Sequence, residues 1–429
     1  MAAARRPHRF RPSGPGVGLR AGWRGSTVVG TAVLGSVLMA ACTGPATPAG
    51  STPSSSSAAV TSTGSPTAPA QPRGAKLIEI GWDTPGATYV RDHIRELEAL
   101  PLDGIALTPR QGVTPELFED RAWKADDVQI GAFASIAWKK FTDNYLSVRA
   151  HTSRGAWFDD ARWDRIDANT RQLSAAVAAA RARGIILDPE FYGQDEMADS
   201  AWRYNTTQYP DRDFAAVEAQ VRRRGAQFMT ALQSGKPDVT IVLMFSLGGV
   251  YTQAAEENGD RGSVQYALMP AFVNGMLDTA EPGVRIVDGN EWGYYYRAPQ
   301  EYTAAAYVTR TKGATLLDPE HRARYERTAV GVAVSPDCTF GLWTGTEFFD
   351  EHCNPGKQSP AQLRTLLKDK LHAALSSADD VVWVYSESFD LVGPNLTGHP
   401  VEKPPAGLDR QAVLDAITAA REQTPRHTP

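Results

Sequence analysis

Short apolar runs along this chain alternate with longer stretches whose apolar residues recur every three or four positions. The runs Leu77–Trp82, Gly104–Leu107, Tyr145–Arg149, Gly184–Leu187, Val239–Phe245, Val284–Val287, Ala329–Val334 and Val381–Tyr385 read as strands. They are rich in β-branched and aromatic residues and bounded by turn formers. The stretches between them read as amphipathic helices. Tyr89–Leu100 puts Val90, Ile94, Leu97 and Leu100 on one face, and Ile166–Arg183, Phe214–Ser234, Gln265–Ala280, Glu301–Lys312 and Ala361–Ser376 repeat the spacing. Asp103-Gly104 and Arg183-Gly184 stand where a helix gives way to a strand, and glycine is expected there to take the left-handed turn of a helix C-cap. Pro109–Phe141 shows no clear strand and is expected to form a long loop on the upper face.

Eight strand–helix units in about 350 residues predict a single-domain (βα)8 TIM barrel over 75–425, rather than an open doubly wound sheet. An open sheet would carry a phosphate-binding glycine fingerprint after its first strand. Gly81-Trp82-Asp83-Thr84-Pro85-Gly86 is not one. No Walker loop, HExxH or GxSxG occurs either, which weighs against nucleotide enzymes, zincins and α/β-hydrolases. No histidine has metal-ligand spacing with another His or Cys, so neither a metal nor a cofactor is expected.

The first 75 residues have a different composition. Six arginines and no acid occupy residues 1–42, followed by the apolar run Ser26–Ala41 and then Cys42. A basic segment, an apolar run and small residues before a cut site make an export signal. Leu38-Met39-Ala40-Ala41-Cys42 resembles a bacterial lipobox. The resemblance implies a lipoprotein signal peptide over 1–41, lipidation of Cys42 and attachment to the outer face of the cell membrane. Residues 42–74 are mostly Ser, Thr, Pro, Ala and Gly without an aromatic residue, a composition that reads as a flexible tether. In that compartment Cys338 and Cys353, 15 positions apart in one loop, are expected to pair.

Charge narrows the partners. The chain holds 44 basic and 49 acidic residues; with the six leading arginines set aside, the remainder carries −11. Such a body is a poor partner for nucleic acid, whose binding needs clustered Lys and Arg. Composition says nothing about oligomeric state.

In a barrel of this kind the reacting groups leave the C-terminal ends of the strands. The fourth run continues Asp188-Pro189-Glu190-Phe191-Tyr192-Gly193, with two carboxylates on one face of an extended chain. The sixth continues Asp288-Gly289-Asn290-Glu291-Trp292-Gly293-Tyr294, the eighth ends Tyr385-Ser386-Glu387, and the first ends Trp82-Asp83. Carboxylates interleaved with aromatic residues are what glycosidic hydrolysis requires: an acid for the leaving oxygen, a carboxylate for water or carbon, and faces that stack on sugars. Here the chain resembles the (βα)8 glycoside hydrolases, and a group of secreted bacterial barrels with a strand-four DPE-x-YG and a strand-six DGNE. The resemblance implies a poly- or oligosaccharide substrate.

Glu190 and Glu291 are expected as the catalytic pair, with Asp188, Asp288 and Glu387 as supporting or alternative catalysts. Trp82, Asp83, Trp138, Tyr192, Asn290, Trp292, Tyr294, Tyr385 and Trp343 are the expected substrate contacts. Asp188 could instead cap the rim and Asp288 shape a turn. The rival reading is a glycan-binding envelope lipoprotein without catalysis.

Overall fold

Eight parallel strands, β1 (Lys76–Gly81), β2 (Gly104–Leu107), β3 (Tyr145–Arg149), β4 (Gly184–Asp188), β5 (Thr240–Leu243), β6 (Arg285–Asp288), β7 (Val332–Val334) and β8 (Val381–Ser386), pair in the order β6-β5-β4-β3-β2-β1-β8-β7. The last gap is bridged by Asp288 and Val330: Asp288 donates its N–H to Ala329 at 2.8 Å, and Gly331 donates to Asp288 at 2.8 Å. A (βα)8 barrel results, as the run pattern predicts. It is a computed structural model that describes residues 74–424 except 111–113, 125–126, 152–155, 191–199, 205, 207, 396 and 399–400. The signal peptide, Cys42, the tether through residue 73 and Tyr192 lie outside the described residues.

Alternation along each strand sorts side chains into two layers. Ile78, Tyr145, Ile186, Val242, Val287 and Trp383 point into the lumen and pack together. Leu77, Leu146, Ile185, Ile241, Ile286 and Val384 point outward against the helices. The strands are therefore buried on both faces, which is why they read as continuous apolar runs.

The glycines before β2 and β4 serve a different purpose from the one expected. The left-handed residue before β4 is Arg181, at φ 50°, not Gly184. A Cβ on Gly184 would sit 1.7 Å from the Thr240 carbonyl oxygen, and one on Gly104 would sit 2.1 Å from that of Asp143. Close approach of neighbouring chain requires glycine there.

Pro109–Phe141 is not only an upper loop. Its later half forms the helix Ile130–Ala134 and buries Phe133, Ile136 and Phe141 against the outer layer. Below the lumen, an ionic network closes the floor. Arg183, entering β4, bonds Asp380, entering β8 on the opposite wall, at 2.7 Å, and also pairs with Asp143. Arg285 pairs with the same fully buried Asp380.

Candidate active site

Two strand ends use the same two-residue device. Asp188 Oδ1 accepts the Glu190 N–H at 2.8 Å, and Asp288 Oδ1 accepts the Asn290 N–H at 3.1 Å. The strands differ in which way the aspartate faces. Asp188 follows Gly184 and Ile186 on the lumen face, whereas Asp288 follows Ile286 on the helix face. Asp288 is 1% exposed, and its Oδ2 accepts the Gly248 N–H at 2.8 Å, at the start of helix Leu247–Glu256. Burial raises its carboxyl to about 6, opposed by those two backbone donors. The expectation that Asp288 supports catalysis is thus corrected: it is walled off from the mouth and shapes the turn.

That turn aims the next carboxylate. Asn290 adopts φ 44°, ψ 66°, a left-handed conformation that asparagine tolerates. Its side-chain amide exchanges hydrogen bonds with the Tyr296 hydroxyl at 3.0 and 3.2 Å, so it braces the turn rather than facing a ligand. Glu291 then doubles back, donating its N–H to the Met244 carbonyl at 3.1 Å. Its carboxyl lies in the field of Glu190 and Asp188. Burial first, then the charges of Glu190 and Asp188, raise it well above the usual range, while the Tyr294 hydroxyl directed at it works in the opposite sense. Glu291 as a whole keeps partial exposure. Its Oε2 nevertheless is shut off from solvent and outside hydrogen-bond geometry with any donor among the described residues. The structure therefore brings together Asp188, Glu190 and Glu291, from β4 and β6.

Glu387 stands apart on the β8 side. It accepts the Tyr385 hydroxyl at 3.0 Å and faces the Trp343 indole N–H. Burial, then the charge of Asp337, raise it to about 7. Asp337 is fully buried and accepts the N–H groups of Glu387 at 3.3 Å and Ser388 at 2.9 Å. Tyr295 bridges the two groups of acids, for Glu291, Glu190 and Glu387 all raise its hydroxyl after the effect of burial.

Aromatic rings form one side of the mouth. Tyr294 is 3% exposed, between Trp383 at 5.2 Å and Tyr385 at 4.9 Å, so it supports the wall and offers no stacking face. Trp292, at 38% exposure, leans on Tyr295 and Phe348 and does offer one. Trp343 and Phe348 belong to the segment between Cys338 and Cys353, whose sulfurs stand 2.06 Å apart, at disulfide distance.

Three expected contacts lie elsewhere or face inward. Trp138 donates to the Ala180 carbonyl at 2.9 Å, beside the approach to β4, and the adjoining Lys139, Lys140 and Phe141 N–H groups all converge on the Glu98 carboxylate. That cluster is a capped turn at the floor end, far from the strand C-termini. Asp83 is 3% exposed and accepts the N–H groups of Val392 at 2.8 Å and Gly393 at 3.3 Å. It follows Leu77, Glu79 and Gly81 on the outer face, while Trp82, in the turn just after β1, is half-buried. Asn290, as above, is spent on Tyr296.

The sequence reading passed over several groups at the mouth. Arg149 ends β3 beside its register partner Asp188 and bonds Glu116 at 2.6 Å; His151, two residues on, bonds the same carboxylate at 2.5 Å. Arg149 is the last residue of its strand, and Asp337 lies in the helix Pro336–Phe340 just after β7, within reach of the same strand-end reasoning. Glu116 is invisible in sequence because it reaches β3 from a segment without strand character. Among the described residues, no group of three or more His, Cys, Asp or Glu side chains could hold a metal ion.

No family model matches this chain, and no curated protein matches it. Solved structures are similar at low identity. A D-allulose 3-epimerase from Methylomonas sp. is 11% identical with a TM-score of 0.42, covering 82% of this chain and 98% of that one. A broad specificity endoglucanase from Bacteroides salanitronis is 9% identical with a TM-score of 0.42, covering 81% and 93%. A psychrophilic family 10 endo-β-1,4-xylanase is 10% identical with a TM-score of 0.40, covering 80% and 96%. These likenesses carry no argument about the reaction.

Proposed function

We propose that this barrel hydrolyses a glycosidic bond of a poly- or oligosaccharide. One observation carries the reading: the Glu291 carboxyl, with its Oε2 closed to solvent, lies in the field of Glu190 and Asp188 two strands away. An acid raised by burial and a second carboxylate beside it are the two roles the reaction needs.

Glu291 is assigned as the general acid that gives its proton to the leaving glycosidic oxygen. Glu190 is assigned as the carboxylate that takes a proton from water or bonds the anomeric carbon. Over the whole reaction one water is consumed, its hydroxyl ending on the anomeric carbon and its proton replacing the one Glu291 gave. Asp188 orients Glu190 through the backbone bond and keeps Glu291 protonated through its charge. Trp292 supplies an exposed face for a sugar ring.

The chain is further proposed to be exported and held to the outer membrane face through a lipid on Cys42. Cys42→Ala then releases the body into the medium instead of the membrane fraction.

Release of reducing ends from a panel of envelope and plant glycans tests the enzyme reading. Wild type is expected to cleave at least one glycan, and Glu190→Gln and Glu291→Gln to lose about 100-fold or more in kcat. Glycans that bind and stay intact with wild type would instead establish the non-catalytic rival.

A further inference from the structure

The β8 side of the mouth combines features that the proposed hydrolysis does not use. Glu387 lies beside Trp343, Tyr385 and Tyr295, with Asp337 buried behind it. Tyr385 and Trp343 have ring centroids 6.2 Å apart, and Trp343 and Tyr295 6.0 Å apart, so the three rings flank one carboxylate. The Trp343 Nε1 faces Glu387 and is closed to solvent. No cation among the described residues contributes to the state of Glu387 or of Glu291. Arg149, at the same mouth, is held by Glu116.

A carboxylate flanked by aromatic rings is a receptor for an ammonium group. Glu387 supplies the counter-charge and acceptor lone pairs beyond the one the Tyr385 hydroxyl takes, and the rings limit the water that competes. A cation there would also offset the Asp337–Glu387 repulsion that the fold leaves unbalanced. The chain beyond residue 42 carries −11, which draws a polycation toward the mouth and repels an acidic polysaccharide.

We infer that Glu387, Trp343, Tyr385 and Tyr295 form a subsite for the ammonium group of an amino sugar, so that the substrate class is a glycan with free, un-acetylated amines. This rests on the glycoside-hydrolase reading for its consequence, but the subsite itself is a binding claim and can be tested without turnover.

The experiment is calorimetric titration of the full chain with short β-1,4- and β-1,6-linked glucosamine and α-1,4-linked galactosamine oligosaccharides, each beside its N-acetylated form. At about pH 6 the amines are protonated, and Glu387 must release its proton to receive one. At least one free-amine oligomer is expected to bind about tenfold or more tighter than its acetylated form, weaken with added salt, and release a proton to the buffer. Glu387→Gln should abolish both the preference and the proton release, and Trp343→Leu should reduce the preference while leaving the proton release in place. Equal or tighter binding of every acetylated form, or a preference that survives Glu387→Gln, overturns the inference. Reducing-end assays on the same oligomers separate the two readings. Preference without cleavage sinks the hydrolase and spares the subsite, while cleavage of acetylated or neutral chains alone does the reverse.

Discussion

Asp188 accepts the backbone N–H of Glu190 at 2.8 Å, so the last residue of β4 sets the direction in which the next carboxylate leaves the strand. Asparagine at 188 keeps that acceptor and removes the charge; alanine removes both. Asp188→Asn is expected to stay within about tenfold of wild-type kcat, and Asp188→Ala to lose about 100-fold. Because the Asp188 charge raises Glu291, both variants should move the alkaline limb of the pH–rate profile to lower pH. Equal losses in the two variants would exclude a positioning role.

Glu387 links the site to stability. Its folded-state pKa is raised from 4.5 to about 7. The folded chain therefore keeps a proton that the unfolded chain has already lost within that window. The stabilisation is fully present below 4.5 and disappears as pH rises through about 7. Glu387→Gln should flatten this slope, by at most about 3 kcal/mol before solvent screening. Urea midpoints measured on either side of the window provide the check.

On the outer face of β1, Glu79 and Asp83 are both buried and adjacent, and no cation among the described residues contributes to either. Burial, then the Asp83 charge, raise Glu79 well above its usual range, whereas burial raises Asp83 only to about 6, opposed by the backbone donors at Val392 and Gly393. A proton shared by this pair is expected to sit on Glu79, the more strongly raised of the two. Glu79→Gln keeps a donor and should change stability by less than about 1 kcal/mol, while Asp83→Ala orphans two N–H groups and should cost about 2–5 kcal/mol. Similar denaturation curves for the two variants would refute the shared proton.

Lys370 is 2% exposed, and its amine donates to the Thr339 hydroxyl at 2.8 Å. Burial lowers it to about 7, against a weaker opposing pull from Glu301. Stability it contributes at high pH is lost as pH falls from 10.5 toward 7. Lys370→Met should raise stability near neutral pH by about 1–4 kcal/mol, since Thr339 still donates to Ser335 at 2.7 Å. A lower melting temperature for this variant would mean the amine holds a partner it cannot lose.

Cys338 and Cys353 close a segment of 15 positions that presents Trp343 and Phe348 to the mouth. A disulfide between them, at the distance the sulfurs stand, is expected to stabilise by about 3 kcal/mol on loop entropy alone. Reduction is expected to lower the melting temperature and raise KM more than it lowers kcat. Thermal scans and steady-state kinetics with and without reductant would show it.

Much of the fold was legible because burial on both faces writes each strand as an apolar run, and Ile78, Ile186 or Val287 could hardly be missed. The carboxylates at the ends of β4, β6 and β8 were legible for the same reason, as the first polar residues after a run. Trp138 misled because its cluster precedes β3, and nothing local says which end of the barrel a flanking segment reaches. Asp288 misled because its partner Gly248 is 40 positions away.

What the sequence determined by itself is the order of elements, the residue types at each strand end, and the excess of acid after residue 42. Those follow from local periodicity and composition. Only the tertiary structure decided which strand-end carboxylates face the lumen, and that Glu291 meets Glu190 while Glu387 meets Asp337 and Trp343. Strand parity turns Asp188 inward and Asp288 outward, and the left-handed turn at Asn290 returns Glu291 to the mouth. Such relations depend on register and on chain segments about a hundred positions apart, where no local pattern reaches.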